Sequence, residues 1–393
     1  MRAAGAAVLD DPLAGLADIQ DVISHIRAQY VDVPDMEKVL AGGVRGALER
    51  ANPLNSILTP EEVQLPDPGR GETGLTLLKT QLLARVIGVV RDSPADAAGF
   101  TVGDSVRRLN GEPLGPMSHW EMERKLLGAP GSEITLVRMP SGTTELITVV
   151  LVREILKRPA IVPRLETKAA MIPLPDLSPG RAGELRGLLD GADKKNPLIL
   201  DLRACNGGSF DEAARVASLL GCRGLFATLK ETGQPDIALD VPMSDPVLFP
   251  KIAVLNGLGT VGPAEALALV LRRLGNRQPG DARGLPKTVI TLGERSPGLA
   301  VERMRFPLKQ GGAVEIVSRR WVGPAGENLD RTGPAPDYSL RGIPETEDIL
   351  PRVLEALEKG PPKSENVANT VARISHPPHA MPASSPSPAA ARF

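Results

Sequence analysis

The chain has 393 residues, 42% of them hydrophobic and 24% charged, with a formal net charge of −1. That length accommodates two or three domains with real hydrophobic cores, and the balanced charge, without a long basic run or aromatic–basic interleaving, excludes the usual footprint of a nucleic-acid partner. No stretch approaches the roughly 18 apolar residues of a membrane span.

The opening MRAAGAAVLDDPLAG has a short apolar run that meets Asp10 and Asp11 too soon for a signal-peptide core, so at face value the sequence reads as cytoplasmic. Within the segment 1–66, Leu16, Ile19, Ile23, Ile26 and Tyr30 recur at spacings of three and four, which predicts an amphipathic helix. Met36, Val39, Leu40, Val44, Ala47 and Leu48 predict a second helix after Pro34. The breaker-rich LPDPGRGETG reads as a linker.

Residues 70–155 change to short strands and tight turns. TGLTLL, RVIGVV, SVRRLNG, EITLVRM and ELITVVLV are the predicted strands, with SPADAAGF and MSHWEMERKLL as helical insertions. Asn110-Gly111 is a strong turn signal. Residues 156–345 alternate helix and strand, the mark of an α/β fold. A helix over 180–190 leads to the strand in PLILDLR, a Gly turn and the helix DEAARVASLL. The strand KIAVLN, a second Gly turn, the helix AEALALVLRRL and a late strand in VEIVSRRWV follow. A helix over 346–359 precedes a Pro/Ser/Ala-rich tail, 360–393, which cannot bury a core and is expected to be disordered.

Cys205 and Cys222 flank the helix predicted from Phe210 to Leu220, about 16 Å long at 1.5 Å per residue. A disulfide needs Cα atoms within roughly 7 Å, so both are expected to be free thiols. Of the four histidines, His25, His119, His376 and His379, none falls between Pro159 and Leu340, which excludes a His-based triad in the α/β part. His376 and His379 are expected to be solvated in the tail. With no clustered Cys/His/Asp spacing, neither a metal nor a cofactor is expected.

The second Gly turn, within IAVLNGLGTVGPAEALALVL, places Gly257, Gly259 and Gly262 at the G-x-G-x-x-G spacing of a dinucleotide loop. That chemistry needs an acidic residue ending the next strand about 20 residues on. Asp281 lies at a plausible distance, but Pro279 and Gly280 precede it where a buried strand belongs. A dinucleotide-binding enzyme stands as one alternative.

The order of parts resembles the carboxy-terminal processing (tail-specific) serine peptidases from about Leu16 to Leu340. NPLNSILTPEE is similar to that family's opening segment, SPADAAGFTVGDSVRRLNGEPL to its PDZ signature, LILDLRACNGGSF to its DLRxNxGG segment, and VSRRWVGPAGENL to its late strand and turn. The resemblance implies an N-terminal helical segment, a PDZ domain and an α/β core of the ClpP/crotonase kind. It also places IAVLNGLGTVGPAE on the nucleophile segment. Aligned on Glu265, the nucleophilic serine falls on Gly262, the general-base lysine on Lys287 and the assisting glutamine on Thr291. The oxyanion donors fall on the Gly207–Gly208 loop and on Pro263, which has no N–H to give. Serine and glutamine are therefore both lost, with half of the anion cradle.

The implied function is a non-catalytic homologue that binds polypeptide segments or C-termini as scaffold, adaptor or regulator, with an active protease as a further partner. The peptide would add to a strand opening at Thr73, Gly74, Leu75, Thr76 and Leu77, opposite His119, Met122 and Leu126. Arg70 would add positive charge there, and Glu72 would oppose a carboxylate. The alternative is an active peptidase with a displaced nucleophile, Thr260 or Cys205, working with Lys287. The N-terminal helices either pack on the chain's own body or form a homodimer, and the family resemblance implies a periplasmic or envelope location.

Overall fold

A computed structural model describes residues 15–166, 168–275, 286, 288–340 and 348–360. The first helices are α1 (Gly15–Gln29) and α2 (Met36–Ala51). Asp35 caps α2 by accepting the Lys38 N–H at 3.2 Å, which satisfies one orphan donor of its first turn. Neither helix buries a residue, and Leu16, Ile19, Leu40 and Val44 stay exposed along the predicted stripes. The SILTPEEV string then forms β1 (Ser56–Leu58) and the single turn α3 (Pro60–Val63), nucleated by a Thr59/Glu62 capping box.

Next come β2 (Leu75–Lys79), β3 (Ala84–Val89), the one-turn α4 (Pro94–Ala97), β4 (Ser105–Leu109), β5 (Glu112–Pro113), α5 (His119–Leu126), β6 (Glu133–Met139) and β7 (Ile147–Val152). They form an antiparallel sheet in the order β2-β3-β4-β6-β7, with β5 on β4. The turn between β4 and β5 is the predicted Asn110-Gly111, both residues at positive φ. The inward positions of these strands, with Leu114 and Met122, close one core.

The remainder is α/β, as the alternation predicts. Its elements are β8 (Arg164–Glu166), β9 (Ala169–Pro173), α6 (Arg181–Gly191), β10 (Leu198–Asp201), α7 (Phe210–Leu219), β11 (Gly224–Glu231), β12 (Ile237–Val241), β13 (Lys251–Asn256), α8 (Pro263–Gly275), β14 (Thr288–Gly293), β15 (Val301–Pro307), β16 (Ala313–Val322), β17 (Tyr338–Ser339) and α9 (Leu350–Lys359). A sheet runs β17-β14-β13-β10-β9-β8, parallel except for β8. Its central strands are apolar throughout because both faces are covered: α6, α7 and α8 share one core with it, and α9 packs on the other face.

A separate antiparallel sheet runs β1-β16-β11-β12, with β15 on β16. Ser56–Leu58 register against 313–315, so the opening segment is woven into the late sheet. Among the described residues no helix is long and apolar enough to cross a membrane. Both cysteines are buried and no disulfide joins them, as expected. The tail beyond Gly360, with His376 and His379, lies outside the described residues, as do Asp281 and Lys287.

Candidate functional site

The site is assembled where two strands of the parallel sheet end side by side. β10 and β13 are neighbours, and each runs into a glycine turn and then a helix. Backbone bonds stitch the two turns together. The Val261 N–H donates to the Cys205 carbonyl at 3.1 Å, and the Leu202 N–H donates to the Leu255 carbonyl at 2.8 Å. The Thr260 hydroxyl donates to the Leu202 carbonyl and accepts the Gly257 N–H, both at 2.9 Å.

Gly262 sits at the apex with φ +60°, the left-handed region that favours glycine, and Pro263 takes the first position of α8. A Cβ on Gly262 would touch only the Leu299 carbonyl, at an ordinary 3.5 Å. The turn thus has room for a side chain and carries none. Proline at the next position supplies no N–H to the space in front of it.

Glu265, in the first turn of α8, is fully buried. Its carboxylate accepts the N–H groups of Gly262 at 3.1 Å, Gly298 at 2.6 Å and Leu299 at 2.7 Å. Burial pushes this carboxyl up to about 7, against the three N–H donors that favour its charged form. One side chain therefore pins the elbow to the loop before β15. In the sequence Glu265 served only to align the motif; its role as a hub comes from residues more than thirty positions away.

The displaced nucleophiles do not survive this geometry. Both bonds of the Thr260 hydroxyl are spent on backbone, and its side chain is fully buried. Cys205 is also fully buried, and burial raises its thiol far above the usual range, so the reactive thiolate does not form. The dinucleotide alternative fails for a related reason. The amides of Gly257, Thr260, Val261 and Gly262 all donate within the protein, and Pro263 has none. Gly259 is wedged against the carbonyls of Arg203 and Ile87, where no diphosphate fits.

Thr291, on β14, gives its hydroxyl to Asp337 at 2.9 Å and its N–H to the same oxygen at 2.8 Å. Arg272 closes the cluster on Asp337 at 2.6 Å. That position therefore holds β14, α8 and the approach to β17 together rather than assisting a base. Gly207 and Gly208 have φ of +88° and +104°, and a Cβ on Gly208 would run into the Leu177 backbone. Ser209 then caps α7 through the Glu212 N–H.

The strand predicted to receive a peptide packs directly on these loops. The Asn206 side-chain amide donates to the Thr76 hydroxyl at 2.6 Å, and Gly88 on β3 leaves the space that the same amide fills. Asn206 was not legible as a contact because Thr76 is 130 residues away. β2 is an edge strand, with Leu75 and Thr76 half-buried. Gly74 has φ +84° against the Ser93 hydroxyl, and Thr73 is buried under it. The Glu72 N–H is already spent on the Glu154 carbonyl at 2.8 Å.

The facing wall is packed. Leu77, Met122 and Leu126 are core residues and His119 is buried, so the groove is filled by its own side chains. Behind α5, Glu123 takes His119 Nε2 at 3.0 Å and the Arg303 guanidinium at 2.6 Å. Burial alone would raise this carboxyl; His119 and Arg303 outweigh it and hold it at about 2.

Comparison with known proteins agrees with this architecture. A profile of Peptidase family S41 matches residues 168–340. The carboxy-terminal-processing protease of Bartonella bacilliformis is 25% identical over 333 residues, covering 82% of this chain and 74% of that one. A probable CtpA-like serine protease of Staphylococcus aureus is 22% identical over 337 residues and covers 83% of this chain, which spans 65% of that relative's length. Among solved structures, the photosystem II D1 C-terminal processing protease has a TM-score of 0.61 at 19% identity, over 88% of this chain and 97% of that one, a likeness of fold. Residues 168–340 thus carry the pattern of Peptidase family S41, and over more than four fifths of its length the chain is similar to a carboxy-terminal-processing protease and a probable CtpA-like serine protease.

Proposed function

We propose that this chain is a non-catalytic member of that family, with residues 70–155 acting as a PDZ domain on a ClpP/crotonase-like core. It binds polypeptide segments or C-termini and serves as a scaffold, adaptor or regulator, an active protease being the partner such a regulator would serve. The observation that carries this reading is the pair Gly262–Pro263 at the elbow, one without a side chain and the other without an N–H. Acyl transfer needs a hydroxyl or thiol to become the acyl carrier, and loss of one oxyanion donor alone costs about 10²–10³ in rate. Peptide binding is supported by β2, an edge strand beside a glycine loop, where main-chain pairing can add a further strand. The exposed apolar stripe of α1 and α2 supports pairing with a second copy.

The test is direct. The full chain incubated with an unstructured protein should leave it intact, and Gly262→Ser should stay inert because Pro263 still withholds the oxyanion donor. Gly262→Ser with Pro263→Ala measures how much machinery remains. Proteolysis by the unaltered chain that Lys287→Ala abolishes would establish an active peptidase instead.

A further inference from the structure

The groove between β2 and α5 is closed in this structure, and α5 is held closed from outside its own unit. Its inner face, His119, Met122 and Leu126, is buried together with Leu77, so a ligand side chain enters only if α5 shifts away from β2. On its other side α5 is gripped by the rest of the chain. The Trp120 N–H donates to the Ser56 hydroxyl of β1 at 3.1 Å, Arg124 donates to the Pro66 carbonyl, and Glu123 takes Arg303 of β15.

Glu123 is the hub of that grip, because the carboxylate that receives Arg303 also receives His119 from the groove face. Two buried polar atoms of this arrangement lack hydrogen-bond partners, His119 Nδ1 and Arg303 Nη1. Each is a cost of the closed state that opening removes. Arg303 also has a second acceptor at hand, since its Nη1 lies 3.7 Å from Glu315, on the strand β16 beside it. Arg303 already spans the two carboxylates, with Nη2 on Glu123 at 2.6 Å and Nη1 facing the Glu315 oxygen that Arg305 does not hold, so a short shift of the guanidinium exchanges one partner for the other.

We propose that Arg303 of the α/β core latches the peptide groove shut through Glu123, and that ligand entry releases it toward Glu315. This regulation rests on the peptide-binding reading above. A closed majority state lowers apparent affinity by the fraction that is open, so breaking the latch raises affinity without touching the binding strand. Glu123 and Arg303 are partly solvent-exposed, which limits the pair to about a 5-fold effect.

Two readouts on the full chain separate the latch from the reading beneath it. Hydrogen exchange at α5 and β2 should quicken in Arg303→Ala and Glu123→Gln and stay slow in Arg303→Lys, which retains the charge. Anisotropy with fluorescein-labelled decapeptides of randomised last three residues and free C-termini should show affinity rising about 5-fold in the same two variants. Unchanged exchange in a folded Arg303→Ala overturns the latch, as does affinity that stays level or falls. Faster exchange with no peptide bound by any variant keeps the latch and overturns peptide binding.

Discussion

The elbow and the groove are closed by different means. At Gly262–Pro263 the loss is covalent, since no rearrangement of neighbours gives glycine a hydroxyl or proline an N–H. Between β2 and α5 the obstruction is the molecule's own packing, Leu77, Met122 and Leu126, backed by an ion pair with Arg303. Packing and ion pairs are worth a few kcal/mol and can be exchanged for a ligand; missing atoms cannot. The two places therefore differ in kind: what the elbow lacks is set by residue type, and what fills the groove is set by conformation.

The comparison breaks most sharply at Met122. As a fully buried side chain in the core of the β-rich unit, it should lose about 3 kcal/mol of stability on Met122→Ala, the transfer and cavity cost of a core methionine. A residue lining an open groove would lose a few tenths at most. Urea denaturation distinguishes the two, and a small loss would mean that the groove stands open in solution.

Much of this was legible in the sequence because it is local. Apolar runs marked β10 and β13, Gly turns followed by helical periodicity marked α7 and α8, and Asn110-Gly111 marked its turn. The Gly262–Pro263 pair at the elbow was equally legible, since it consists of two adjacent residue types. What escaped is non-local. Arg303 meets Glu123 across 180 residues, and the Val317 N–H finds the Asn55 side chain across 262. The sequence registers such partners only as polar residues at unremarkable positions. The packing of the groove escaped for a different reason. A helix face of His119, Met122 and Leu126 carries the same apolar spacing whether it lines an open cleft or fills it, and only packing separates the two.

An effect of similar size sharpens the elbow's side of the comparison. The Glu265 carboxyl is raised from 4.5 to about 7 by burial, so between those values the folded chain keeps a proton that the unfolded chain releases. Stability from this group is therefore fully present below the unfolded value and is lost as pH rises through about 7, by on the order of 3 kcal/mol. Glu265→Gln does not titrate and should flatten that part of the profile, measured by urea denaturation at pH 5 and pH 8. An unchanged slope would place the titration elsewhere and leave the elbow indifferent to pH.

The smallest effect is also the one that tests what kind of loss the elbow suffered. Gly262→Ser meets only the Leu299 carbonyl at 3.5 Å, so sterics around the Cβ add little. Its cost is the left-handed backbone at φ +60°, about 1–2 kcal/mol for a residue with a side chain. A loss of that size, with no cleavage, means that the turn still holds the shape of a nucleophile elbow and lacks only the atoms. A loss several times larger means that the backbone has closed over the old position. The chain would then have left catalysis by rebuilding its site as well as by substitution, and neither a serine at 262 nor an alanine at 263 would bring the two halves of the site back together.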